Sequence, residues 1–160
     1  MRTMMRTGIL LFAVCLLALA QPQAGLYCAT KTTALSGAAE VITIQQPATG
    51  ARSVSFSGAS IYASVETGLL LQRDGTAATS TALTPAKLND SAEATAVTAW
   101  HTSNAGAGTT LAAYTVPAGG TLVLDLNGLW LLGNGTAKNL TLRTASVSGT
   151  VKINICWRED

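Results

Sequence analysis

Residues 151–158 read Val-Lys-Ile-Asn-Ile-Cys-Trp-Arg, and the alternation in this stretch decides the fold class. Val151, Ile153, Ile155 and Trp157 fall on one parity, and Lys152, Asn154, Cys156 and Arg158 on the other. A period of two is what a strand with one buried and one wet face produces, because successive side chains of extended backbone point to opposite sides.

Working outward from there, Leu140 and Leu142 alternate with Asn139, Thr141 and Arg143. Leu122, Leu124 and Leu126 alternate with Thr121, Val123 and Asp125. Between these runs stand the turn Pro117-Ala118-Gly119-Gly120, the apolar stretch 129–132, and Gly133-Asn134-Gly135. Further upstream, residues 52–65 (RSVSFSGASIYASV) carry Val54 and Phe56 on even positions but Ile61, Ala63 and Val65 on odd ones. The change of parity at Gly58-Ala59-Ser60 predicts a β-bulge that lets both halves face one core. Residues 40–46 (EVITIQQ) form a β-branched run closed by Pro47 and Gly50. Residues 69–73 and 76–81 flank Asp74-Gly75, the signature of a tight primed turn, and predict a hairpin. Residues 83–104 are less regular. Pro85 interrupts them, Asn89-Asp90-Ser91 with Glu93 could cap one helical turn, and 94–100 reads equally as strand. Residues 104–108 (NAGAG) read as a loop.

About eight short strands with Gly- and Pro-rich turns and no amphipathic helix predict an all-β, antiparallel β-sandwich. A jelly roll is the expected arrangement and an immunoglobulin-like sandwich the alternative. No Cys-Trp-Cys spacing of a true immunoglobulin domain is present.

The N-terminus has a different texture. Arg2 and Arg6 precede an unbroken apolar run at 8–19 (GILLFAVCLLAL), and Ala18-Leu19-Ala20 fits the small-residue cleavage rule. Residues 1–20 therefore read as a secretory signal peptide, the apolar run being shorter than the roughly 20 residues a spanning helix needs. No membrane insertion is expected after cleavage. Residues 21–39 mix Gln, Gly, Thr, Ser and Ala without a sustained period and read as an extended N-terminal arm, leaving 40–160 as the sandwich domain.

The same division settles the charge. The chain has ten basic and eight acidic residues, but Arg2 and Arg6 belong to the signal, so the mature protein is formally neutral at eight against eight. With 11% charged residues and no basic cluster, nucleic acid is excluded as an expected partner. Neutrality instead favours association of the chain with itself.

Cleavage also removes Cys15 and leaves Cys28 and Cys156, an even pair in an exported chain, which predicts a disulfide. Parity points Cys156 away from the core. Cys28 can then reach it if the arm lies across the outside of the last strand, or if the arm of a neighbouring molecule does so, and both options stay open.

Catalytic chemistry finds no footing. His101 is the single imidazole, the carboxylates Glu66, Asp74, Glu93 and Asp125 are scattered, and no nucleophile elbow, zinc helix or phosphate loop is present. No catalytic residue, metal or cofactor is expected. Of the three tryptophans, Trp157 and Trp130 read as packing residues, and Trp100 beside His101 reads as a ligand contact. Asn89, Asn134 and Asn139 each open a glycosylation sequon.

The segments at 116–131 (VPAGGTLVLDLNGLWL) and 135–157 (GTAKNLTLRTASVSGTVKINICW), together with 73–89 (RDGTAATSTALTPAKLN), resemble small uncharacterised jelly-roll and β-sandwich structural proteins of tailed phages and bacteria. The resemblance spans residues 40–157 and implies a virion decoration or surface-assembly module without carrying over any functional residue. A signal peptide and a cysteine-bearing arm depart from a virion protein assembled in the cytoplasm and favour an exported relative. The expected function is that of a secreted, non-enzymatic structural protein that self-assembles into an extracellular filament or surface layer. Leu26, Tyr27 and Leu35 of the arm would dock on an adjacent subunit, and Cys28 and Cys156 would lock the joint. The alternatives are a secreted carbohydrate-binding module using Trp100 and His101 on a glycan, and a virion-associated decoration protein.

Overall fold

The computed structural model describes residues 25–35, 41–48, 53–74, 81–89, 95, 97–102, 108–132, 138–145 and 148–159. These form strands and no helix: β1 Gly25–Ala34, β2 Val41–Gln46, β3 Ser53–Ala63, β4 Thr67–Arg73, β5 Thr81–Leu83, β6 Ala86–Lys87, β7 Thr98–Thr102, β8 Thr109–Val116, β9 Gly120–Asp125, β10 Trp130–Leu132, β11 Lys138–Thr144 and β12 Thr150–Glu159. They pair antiparallel into two sheets. The first runs β10-β3-β12-β1-β6, with β9 also on β3, and the second runs β5-β7-β2-β11-β4-β8. The fold is the antiparallel sandwich that the period-two pattern requires.

The main pairings are nested along the chain: β1 with β12, β2 with β11, β3 with β9 and β10, and β4 with β8. The short strands β5, β6 and β7 are spliced between β4 and β8, and two of them extend the second sheet past β2.

Parity then fills the core. From the first sheet, Ile61, Ile153, Ile155 and Trp157 point inward, and from the second Ile42, Ile44, Leu69, Leu71, Leu140 and Leu142 meet them, all buried. Each such side chain contributes roughly 1.5–3 kcal/mol relative to exposure. The parity change expected in β3 is present. Cys156 faces Gly58 and Trp157 faces Phe56, so Ser57 is the extra residue of a β-bulge. Val54 and Phe56 before the bulge and Ala59, Ile61 and Ala63 after it are all buried. The turn at 117–120 is also as expected. Gly120 N–H donates to the Pro117 carbonyl at 3.0 Å, and Gly119 holds a φ of 68° that glycine adopts without a Cβ penalty.

Three expectations are corrected. First, the sheet begins at Gly25 and not at residue 40. Residues 25–34 pair with Glu159 through Thr150 in an unbroken ten-residue register, one edge of β12 being otherwise open to water. Tyr27 is buried, and its ring stacks on Trp157 with centroids 6.1 Å apart.

Second, β4 has no free edge for the hairpin expected with residues 76–81, of which 76–80 lie outside the described residues. A strand has two hydrogen-bonding edges, and those of β4 are taken by β11 and β8. Thr81 pairs instead with His101 in β7. Asp74 does have the positive φ, 57°, that the Asp-Gly reading asks of it, and Gly75 lies outside the described residues.

Third, Trp130 is not a packing residue. Within β10, Leu131 points inward and is buried, so parity turns Trp130 and Leu132 outward at 59% and 54% exposure. The signal peptide at 1–20, the capping sequence beginning at Asp90 and the loop at 104–107 lie outside the described residues.

Candidate assembly and binding surfaces

Cys28 and Cys156 stand directly opposite each other in the β1–β12 ladder and form a disulfide within the chain. Their Cα atoms are 4.1 Å apart, the spacing of a closely set, non-hydrogen-bonded cross-strand pair. Cys156 does face away from the core, as parity requires, but Cys28 reaches it from the adjacent strand and not from an arm laid over the sheet. The bond joins two strands of one layer, unlike the inter-sheet bond of immunoglobulin domains. It is compatible with an oxidising, extracellular setting. The residues expected to dock on a neighbour are engaged within the chain. Tyr27 and Leu35 belong to the core cluster, and Leu26 N–H donates to Asn89 Oδ1 at 3.1 Å.

The sandwich has two flanks, and they differ in the way their strand edges are finished. An edge presents a row of unpaired N–H and C=O groups, and proteins blunt it with short strands or with lysine. On one flank β6 covers Tyr27 and Cys28 with two residues, one of them Lys87, and the uncovered remainder of β1 carries Lys31 at the inward parity opposite Ile153. The second sheet ends on that side in β5, three residues long.

On the other flank stand β8 and β9, joined by the turn at 117–120. Among the described residues β8 pairs only with β4, and β9 only with β3. Asp125 is the one charged residue in these two strands (TTLAAYTV and GTLVLD), and it accepts the Asn127 N–H at 2.9 Å. Leu111 is the extra residue of a bulge in β8 and is exposed, which leaves 112–116 as the regular part of the edge.

The outward face of the first sheet is the second distinctive surface. Tyr62, Val123, Trp130 and Leu132 all stand on it, and Val123 is 74% exposed. Between β9 and β12 this face is hollowed into an open groove of about 430 Å³. The cause is local: position 58 has no side chain, and a Cβ built there would stand 3.1 Å from the Leu124 carbonyl oxygen.

Trp100 and His101 lie in β7, inside the second sheet. They stand opposite Thr43 and Ala82, and Ile42 and Thr81, respectively. The irregular context expected for them is therefore a strand, and their side chains lie outside what is described. Asn139 is 6% exposed in the middle of a sheet, which closes that sequon in the folded protein. Asn134 lies outside the described residues. Among the described residues no three His, Cys, Asp or Glu side chains gather where they could hold a metal ion.

No protein-family model matches this chain, and no characterised protein or solved structure matches it either.

Proposed function

We propose that the protein is a secreted, non-enzymatic structural subunit of an extracellular filament or surface layer, and that its β8/β9 flank pairs it edge to edge with a second copy. The observation that carries this reading is the contrast between the flanks: short strands and lysines on one side, and on the other two edges that pair no further among the described residues, with a single charge between them. The regular part of β8 is a template for a strand of a second copy, and edge pairing of this kind extends a sheet at low cost. It takes the place of arm exchange, since β1 already fills its own sheet. The nested strand order supports a jelly roll, an architecture that capsid proteins and lectins share, although architecture alone assigns no activity. The apolar leader at 8–19 and the disulfide support export.

The test compares the mature chain with the variant Ala113→Lys/Thr115→Lys by sedimentation velocity and negative-stain microscopy. Both residues are exposed on β8. Wild-type assemblies and a monomeric variant are expected. A wild-type chain that stays monomeric across the accessible concentrations, or a variant that assembles as well as wild type, overturns the reading.

A further inference from the structure

The groove on the outer face of the first sheet is furnished with polar groups held in place before any ligand arrives. On the β9 side are Asp125 and Asn127, the carboxylate fixed by the Asn127 N–H at 2.9 Å. On the β12 side is Asn154, whose Oδ1 accepts the Thr30 hydroxyl at 2.7 Å and whose amide nitrogen lies 3.7 Å from Cys156 Sγ. Ser57 and Ser60 complete the lining, and Ser57 Oγ donates to the Cys156 carbonyl at 3.2 Å. The disulfide thus anchors one wall, and the bulge and the missing side chain at position 58 open the floor.

Beyond the groove, on the same face, stands Trp130. Asp125 faces Gly58 and Trp130 faces Ser55; with Ser57 bulged out, that interval matches only the two β12 residues from Cys156 to Arg158, so Trp130 is set roughly 7 Å further along the sheet at about 3.3 Å per residue. Its backbone is tied to the second sheet, because Arg73 Nη2 donates to the Trp130 carbonyl at 3.3 Å. An exposed indole on a rigid sheet, beside spaced carboxylate, amide and hydroxyl groups, has an amphipathic character. It offers a flat apolar face for carbon-bound hydrogens and fixed acceptors and donors for hydroxyls.

We propose that this groove and Trp130 bind a neutral polysaccharide, the indole packing on one pyranose ring while Asp125, Asn127 and Asn154 hydrogen-bond the hydroxyls of the next. Charge selects the neutral class. Asp125 is the sole charged residue lining the groove, and the exposed Arg158, which like Trp130 stands opposite Ser55, carries the opposite sign, so the site has no net charge to hold a uronate or sialate while Asp125 accepts hydroxyl donors. Shape selects a chain over a small molecule, because the groove is open and its polar groups stand to one side of the indole along the strand. The site lies elsewhere than Trp100 and His101, and it does not depend on the assembly reading.

The experiment uses the mature chain in both wild-type and Ala113→Lys/Thr115→Lys backgrounds, so that failure of self-association leaves the binding result intact. Affinity electrophoresis and calorimetry are run with hexasaccharides of β-1,4-glucose, β-1,4-mannose, β-1,4-N-acetylglucosamine and α-1,4-glucose, and with hexagalacturonate as the anionic probe. At least one neutral hexasaccharide is expected to bind. Trp130→Ala should weaken it by about tenfold or more, as truncation of an aromatic anchor does, at an unchanged unfolding midpoint. Asp125→Asn should weaken it by a smaller factor. Absence of binding to every neutral probe, stronger binding of hexagalacturonate, or a Trp130→Ala variant with wild-type affinity each overturns the proposal.

Discussion

Reducing the Cys28–Cys156 bond should remove a large part of the stability of this domain while leaving its native structure in place. The two cysteines are 128 residues apart in sequence. Closing a loop of that length in the unfolded chain costs about 5 kcal/mol at 25 °C in the chain-entropy treatment, and the disulfide removes that cost in advance. Single domains are stable by only about 5–15 kcal/mol, so the loss is of the same order as the whole. The folded side of the balance should change little. Cys28 and Cys156 sit inside a ladder of ten residue pairs, and β3 and β6 brace the two strands from outside. A reduced chain therefore keeps its register.

The assay is urea denaturation followed by tryptophan fluorescence, with oxidised protein, reduced protein and Cys28→Ala/Cys156→Ala compared side by side. With a slope of about 2 kcal/mol/M the midpoint should fall by about 2.5 M, and the slope itself should rise because the uncrosslinked chain exposes more surface on unfolding. A difference below about 1 kcal/mol would refute the reasoning. That is the size of an ordinary cross-strand side-chain pair, and it would mean that the unfolded chain already keeps its ends together.

Glu159 is buried and accepts hydrogen bonds from Trp157 Nε1 at 3.1 Å and from the Thr95 hydroxyl. Glu159→Leu strands the Trp157 indole N–H, the Thr95 hydroxyl keeping the Val97 carbonyl at 3.3 Å as an acceptor, and should cost about 1–3 kcal/mol, whereas Glu159→Gln, which keeps an acceptor for the indole, should cost less than half as much; equal losses in urea titrations would contradict this account. Ile153→Ala opens a cavity between the layers and should cost about 2–5 kcal/mol by the same titration. Gly119→Ala meets nothing within 4 Å of its new Cβ, so its loss of about 1 kcal/mol should come from backbone strain alone, with spectra of the folded state unchanged.

The two-layer fold was legible because its central strands are amphipathic by alternation, as in residues 151–158, and because a break in parity at 58–60 announced the bulge found at Ser57. What escaped the reading had a physical cause in each case. Strand β1 carries Lys31 and Thr33 at inward parity near a sheet edge, so it lacks the apolar alternation of β12, and only its Tyr27 and Thr content hints at extended structure. Asp74 has the positive φ of a turn residue, but turn chemistry is local. Which strand occupies the adjacent edge depends on β8 and β11, far away in sequence. Trp130 was hidden inside an apolar run of four, where hydrophobicity alone cannot separate the faces and only the burial of Leu131 fixes which residues point out. The groove could not be read at all, since it arises from the register that places Gly58 between Asp125 and Cys156.

The two proposed surfaces are geometrically compatible, and the reason lies in the directions in which a sheet can be extended. Pairing through β8 continues the second sheet in its own plane, whereas the groove and Trp130 open along the normal of the first sheet, on the far side of the core. A copy added at the flank therefore covers backbone edges and leaves the outer face free. The second copy also brings a second groove, held at a fixed distance by the shared sheet. Two weak neutral-sugar sites on a rigid pair bind a long polysaccharide far more tightly than one site does, because the second contact is made at high effective concentration. A charge-poor flank and a shallow, single-carboxylate groove would each be a modest device in a monomer. Joined in the proposed pair, each would strengthen the other.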